Sequence, residues 1–89
     1  MIESAAFTDE SGRCDTMAVL RNEDGWWGYG TSSPTGGPTD PAYMYWYQTA
    51  DELAAVLAMQ AHSDQWSHHG DDVNAWLLRV SMDLRTAGA

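Results

Sequence analysis

The spacing of apolar and polar positions changes character once along this 89-residue chain, near residue 48. Before that point, short apolar runs are separated by turn clusters. After it, apolar residues recur at helical intervals. Ile2 to Thr8 reads as a short strand, closed by the turn cluster Asp9-Glu10-Ser11-Gly12. Asp15 to Arg21, with Met17-Ala18-Val19-Leu20 inside it, reads as a second strand. Asn22-Glu23-Asp24-Gly25 is a strong turn, with glycine where a positive φ is often needed. Trp26 to Gly30 is the returning strand. Taking those four turn residues as the loop sets Arg21 opposite Trp26 and Leu20 opposite Trp27. Ala18, Leu20, Trp27 and Tyr29 then share one face of the sheet, and Val19, Arg21, Trp26 and Gly28 the other.

Thr31 to Ala42 holds all three prolines and two glycines. Proline supplies no backbone donor, which excludes a helix or a central strand, so residues 31–42 read as a Pro/Gly-rich loop. The aromatic run Tyr43-Met44-Tyr45-Trp46-Tyr47 is a fourth strand. Thr49-Ala50-Asp51-Glu52 is a capping box, and Leu53, Val56 and Leu57 follow at helical spacing, predicting a helix from about Ala50 to His62. Ser63 to Gly70 is a polar link. Asp71-Asp72 opens a last helix, in which Val73, Trp76, Leu77, Val80 and Leu84 form one apolar stripe. Residues 87–89 are expected to fray. The order ββββαα predicts an α+β fold: one domain over residues 1–89, a small antiparallel sheet of three to four strands, and two C-terminal helices packed on one face.

Charge changes the picture more than any motif does. Thirteen acids face four arginines, there is no lysine, and the formal net charge is −9. Apolar residues at 44% and aromatics at 11% separate the chain from disordered acidic tails, so the charge belongs to a folded domain. A surface this negative repels phosphate backbones and anionic membranes and attracts basic protein surfaces. The aromatics of the sheet could stack single-stranded bases, but such platforms come with Lys and Arg, and here those are scarce. Direct nucleic-acid binding and membrane association are therefore not expected. Met1-Ile2-Glu3-Ser4 lacks the basic start and apolar run of a signal peptide, and a single cysteine, Cys14, cannot form an internal disulfide. A soluble cytoplasmic protein is the expectation.

Candidate chemistry is thin. His62, Asp64, His68 and His69 lie within a span that could supply zinc or nickel ligands, but the two-histidine helical spacing of a metalloprotease is absent. They read as a solvated link whose histidines cap the preceding helix, so no metal and no cofactor are expected. Cys14 is followed by Asp15, which disfavours a thiolate, and reads as a half-buried strand cysteine. No serine sits in a nucleophile elbow, and no lysine exists to meet a phosphate in a glycine-rich loop. No enzymatic activity is expected.

The acids cluster in turns and first helical turns. With successive elements antiparallel, Asp9, Glu10, Asp40, Asp64, Asp71 and Asp72 are expected to gather at one end, and Glu23, Asp24, Asp51 and Glu52 at the other. Aromatics on a sheet face left open by the helices would mark a protein interface or a homodimer contact. In size, acidity and the layout of Asp24-Gly25-Trp26-Trp27-Gly28 followed by Thr49-Ala50-Asp51-Glu52, the chain resembles phage-encoded anti-CRISPR and antirestriction proteins. That resemblance implies a non-enzymatic inhibitor of a basic, nucleic-acid-handling complex such as a CRISPR effector. Carboxylates would occupy the nucleic-acid site, and Trp26 and Tyr45 would anchor in the partner. An immunity or antitoxin protein against a basic toxin, or a self-associating accessory domain, are the other readings the same composition allows.

Overall fold

The computed structural model describes residues 3–32 and 44–88. The fold is α+β in the order ββββαα, and the chain divides into two compact units, Met1–Gln48 and Thr49–Ala89. Among the described residues no helix is long and apolar enough to cross a membrane.

The first unit is an antiparallel sheet with its strands in sequence order: β1 (Glu3–Thr8), β2 (Cys14–Arg21), β3 (Trp27–Ser32) and β4 (Tyr45–Tyr47). β3 continues through Thr31 and Ser32, two residues expected to belong to the loop, because they pair with Met17 and Thr16 of β2. The rest of that loop, and Tyr43, lie outside the described residues. Met44, expected within the fourth strand, is buried just before β4, which begins at Tyr45.

Two hairpins of one design join the first three strands. In the first, the Asp9 amide donates to the Arg13 carbonyl (2.9 Å), the Gly12 amide to the Asp9 carbonyl (3.0 Å), and Gly12 has φ +89°. In the second, the Asn22 amide donates to the Trp26 carbonyl (2.9 Å), the Gly25 amide to the Asn22 carbonyl (3.0 Å), and Gly25 has φ +86°. Each loop is three residues closed by a pair, with glycine in the left-handed region a side chain would resist. The side-chain oxygen of the first residue fastens each loop. Asp9 Oδ1 accepts from the amides of Ser11 and Arg13 (both 2.9 Å) and from the Ser11 hydroxyl (2.7 Å), and Asn22 Oδ1 accepts from the Trp26 amide (2.8 Å).

This turn corrects the expected register. Trp26 belongs to the loop closure, so Arg21 pairs with Trp27, Leu20 with Gly28 and Val19 with Tyr29. A one-residue slip exchanges the faces. Trp27 and Tyr29 lie with Asp15, Met17, Val19 and Arg21, not with Ala18 and Leu20. That face contains the fully buried Met17 and Val19 and the nearly buried Tyr29. The Arg21 guanidinium stands 5.0 Å from the Trp27 ring centroid, a cation–π contact that only this register permits. The opposite face is built from small residues, Ala6, Ala18, Gly28 and Gly30, with Leu20 and Trp46.

The second unit is a pair of helices, α1 (Ala50–Ala61) and α2 (Asp72–Gly88). Thr49 caps α1 as its sequence predicts, its hydroxyl accepting from the Glu52 amide (3.1 Å). Ala50, Leu53, Ala54, Leu57 and Ala61 are the buried residues of α1, and Val56 is only half-buried. The stripe of α2 holds as predicted at Val73, Leu77, Val80 and Leu84, joined by buried Ser81, whereas Trp76 is only half-buried. The Ser81 hydroxyl donates to the Ala54 carbonyl at 2.7 Å and ties the two helices together. The small side chain of Ala54 leaves that carbonyl within reach. α2 extends to Gly88, into the stretch read as a frayed end.

The link between the helices is more ordered than a solvated connector. It contains a 3₁₀ turn, Ser67–His69, ended by Gly70 at φ +65°. Trp66 and His69 are buried, and the rings of His68 and His69 lie 4.2 Å apart between centroids. The preceding helix is closed by backbone bonds, the His62 amide donating to the Met59 carbonyl (3.2 Å) and the Ser63 amide to the Gln60 carbonyl (3.1 Å).

Candidate partner-binding surface

The residues expected to meet a partner fall on separate places within each unit. Asp9 and Glu10 sit in the β1–β2 hairpin. Glu10 is exposed, but the Asp9 carboxylate is engaged by three donors of its own loop. Trp26 sits at the β2–β3 hairpin, which an antiparallel sheet places at the opposite end of β2. Asp9 and Glu10 therefore do not share a site with Trp26. Tyr45, the most exposed aromatic of the sheet at 72%, pairs with Tyr29 in the β3–β4 register. Asp64, Asp71 and Asp72 are exposed in the helical unit, on the link and at the start of α2. The backbone carbonyls of Asp64 and Asp71 accept from the amides of Ser67 (3.2 Å) and Ala75 (2.9 Å), which leaves both carboxylates projecting from fixed backbone. Asp40 lies outside the described residues.

The β2–β3 hairpin tip is a feature the sequence reading did not assemble as a site. Glu23 and Asp24 are exposed there, and Trp26, 39% exposed, follows directly. The Asn22 side chain and the Gly25 conformation fix this loop, so two carboxylates and an indole are presented with little freedom to lose. The signal was available in the spacing Asn22-Glu23-Asp24-Gly25-Trp26, which repeats the pattern of Asp9-Glu10-Ser11-Gly12-Arg13.

Asp15 was not expected to matter. Its side chain is fully buried, on the face of Met17 and Val19, with Arg13 Nε 3.6 Å from its Oδ1. A buried carboxylate needs a cation or donors nearby, and Arg13, two residues earlier on the same strand side, is placed for that. The scarce arginines are all exposed, and three of them lie against neighbours. Arg13 lies against Asp15, Arg21 over Trp27, and Arg79 against Asp83 at 3.0 Å. The exposed carboxylates of Glu10, Glu23, Asp24, Asp51, Glu52, Asp64, Asp71 and Asp72 dominate the surface charge.

Comparison with family models, with characterised proteins and with solved structures found no match to this chain.

Proposed function

We propose that this chain is a non-enzymatic acidic inhibitor that binds a basic, nucleic-acid-handling protein complex, of the kind represented by anti-CRISPR proteins. The observation that carries this reading is the β2–β3 tip. There the exposed Glu23 and Asp24 precede an exposed Trp26 that closes a loop held by its own hydrogen bonds. Indoles are the side chains most often found at the energetic centre of an interface, and rim carboxylates steer and orient a basic partner. The net charge of −9 extends that steering over the whole molecule. The carboxylates of Asp64, Asp71 and Asp72 present a second acidic group of the same kind.

The test is binding of the full chain to purified CRISPR effector complexes, with and without competing duplex DNA, across a salt series. Binding should weaken steeply with salt and be competed by DNA. Trp26→Ala should weaken it at least about tenfold, as expected for an anchor residue. Glu23→Gln with Asp24→Asn should flatten the salt dependence, and Asp71→Asn with Asp72→Asn identifies whether the helical unit contributes. Salt-insensitive binding that DNA does not compete would overturn carboxylate mimicry. Tight binding by a basic nuclease toxin, with no effector bound, would assign the chain to the immunity-protein class instead.

A further inference from the structure

The helical unit carries an apolar stripe that its own packing does not use. Besides the buried stripe of Val73, Leu77, Val80, Ser81 and Leu84, α2 exposes Ala75, Leu78 (39%) and Met82 (69%) at i, i+3 and i+7. An exposed apolar row on an otherwise polar helix face marks a contact surface, and methionine adapts to whatever covers it.

The charge around this row indicates the occupant. Residues 1–72 contain twelve acids against two arginines, whereas residues 73–89 contain only Asp83 against Arg79 and Arg85. α2 is thus where two copies of a molecule of charge −9 meet the least mutual repulsion. The pattern is also self-complementary. When two α2 helices lie antiparallel about a two-fold axis level with Val80, Leu78 of each copy meets Met82 of the other. Arg79 of each then comes within about two residues' rise, ~3 Å along the axis, of the level of Asp83 of the other. The intrahelical Arg79–Asp83 pair at 3.0 Å has the spacing that lets each partner turn to its counterpart across the axis. We infer that this chain forms an isologous homodimer through the Leu78–Met82 row of α2, with Arg79 and Asp83 exchanged between copies. The patch is small, so association should be weak, with half-dimerisation on the order of tens of micromolar.

Sedimentation equilibrium of the full chain over a wide concentration range reads the outcome. A concentration-dependent rise toward twice the 9.8 kDa monomer mass is expected. Met82→Glu should weaken it at least about tenfold with the far-ultraviolet dichroism unchanged, since residue 82 is exposed. Charge reversal supplies a test that loss of folding cannot mimic. Arg79→Glu and Asp83→Arg should each be monomeric alone, because like charges then face across the axis, and an equimolar mixture should form the heterodimer. A chain that stays monomeric throughout the range overturns the inference. So does a dimer indifferent to Met82→Glu but lost on Tyr45→Ser, or a mixture that fails to associate. The inhibitor reading stands or falls separately, because its assay measures an effector and not a second copy.

Discussion

The indole of Trp46 lies across the backbone of Gly28, its register partner on β3, so closely that a β-carbon at residue 28 would stand 2.6 Å from Trp46 Cζ3 and 2.8 Å from Cε3. β4 is only three residues long, and this ring-on-glycine contact adds a side-chain attachment to its few backbone bonds. Gly28→Ala should therefore destabilise the protein by about 1–3 kcal/mol, as overpacking does. In the Trp46→Ala background the same change should cost much less, because the obstructing ring is gone. Urea unfolding of the four members of this cycle measures the difference. Additive effects would show that the ring does not enforce the glycine.

The paired hairpins predict matching responses at equivalent positions, set by whether the replacement keeps the side-chain oxygen. Asp9 Oδ1 collects three hydrogen bonds, and Asn22 performs the corresponding closure with a neutral amide oxygen. Asp9→Asn should thus be tolerated, whereas Asp9→Ala and Asn22→Ala should each cost about 1–2 kcal/mol. Gly12→Ala and Gly25→Ala, at φ +89° and +86°, should each cost about 1 kcal/mol from backbone strain alone, since neither position is crowded. Thermal unfolding of these variants ranks them, and an Asp9→Asn loss as large as Asp9→Ala would show that the carboxylate charge, not its geometry, holds the turn.

Burial pushes the Tyr29 hydroxyl well above the ordinary phenol range, and the neighbouring Tyr47 adds to the shift. The unfolded chain releases that proton near the ordinary phenol value of about 10, while the folded chain retains it. The unfolded state then binds fewer protons, so stability is complete below about pH 10 and is lost as pH rises from there toward the raised folded value. Tyr29 alone should contribute a slope of about 1.4 kcal/mol per pH unit in that window. Denaturant midpoints of the wild type and Tyr29→Phe, compared from neutral to strongly alkaline pH, should show a shallower alkaline decline in the variant. Equal slopes would mean that the folded chain ionises Tyr29 as readily as the unfolded one.

Signals confined to a few neighbouring residues were legible in the chain itself. Thr49 three residues before Glu52 specified the start of α1, the spacing of Val73, Leu77, Val80 and Leu84 specified the buried side of α2, and glycine after Asp9 and Asn22 specified two turns. Each depends on backbone geometry within one turn of helix or one hairpin loop. The register of β2 and β3 did not follow, because four turn residues and a three-residue loop with its closing pair look alike in sequence, yet differ by the one position that exchanges the sheet's faces. Tertiary structure alone decided that Asp15, Trp66 and His69 are buried while Trp26, Tyr45 and Met82 are exposed. Burial depends on residues distant in sequence that come together only in the folded chain. Composition set the charge at −9, but where the carboxylates stand, and that Glu23 and Asp24 share a rigid tip with Trp26 while Asp9 closes its own loop, was settled by the hydrogen bonds of the folded turns.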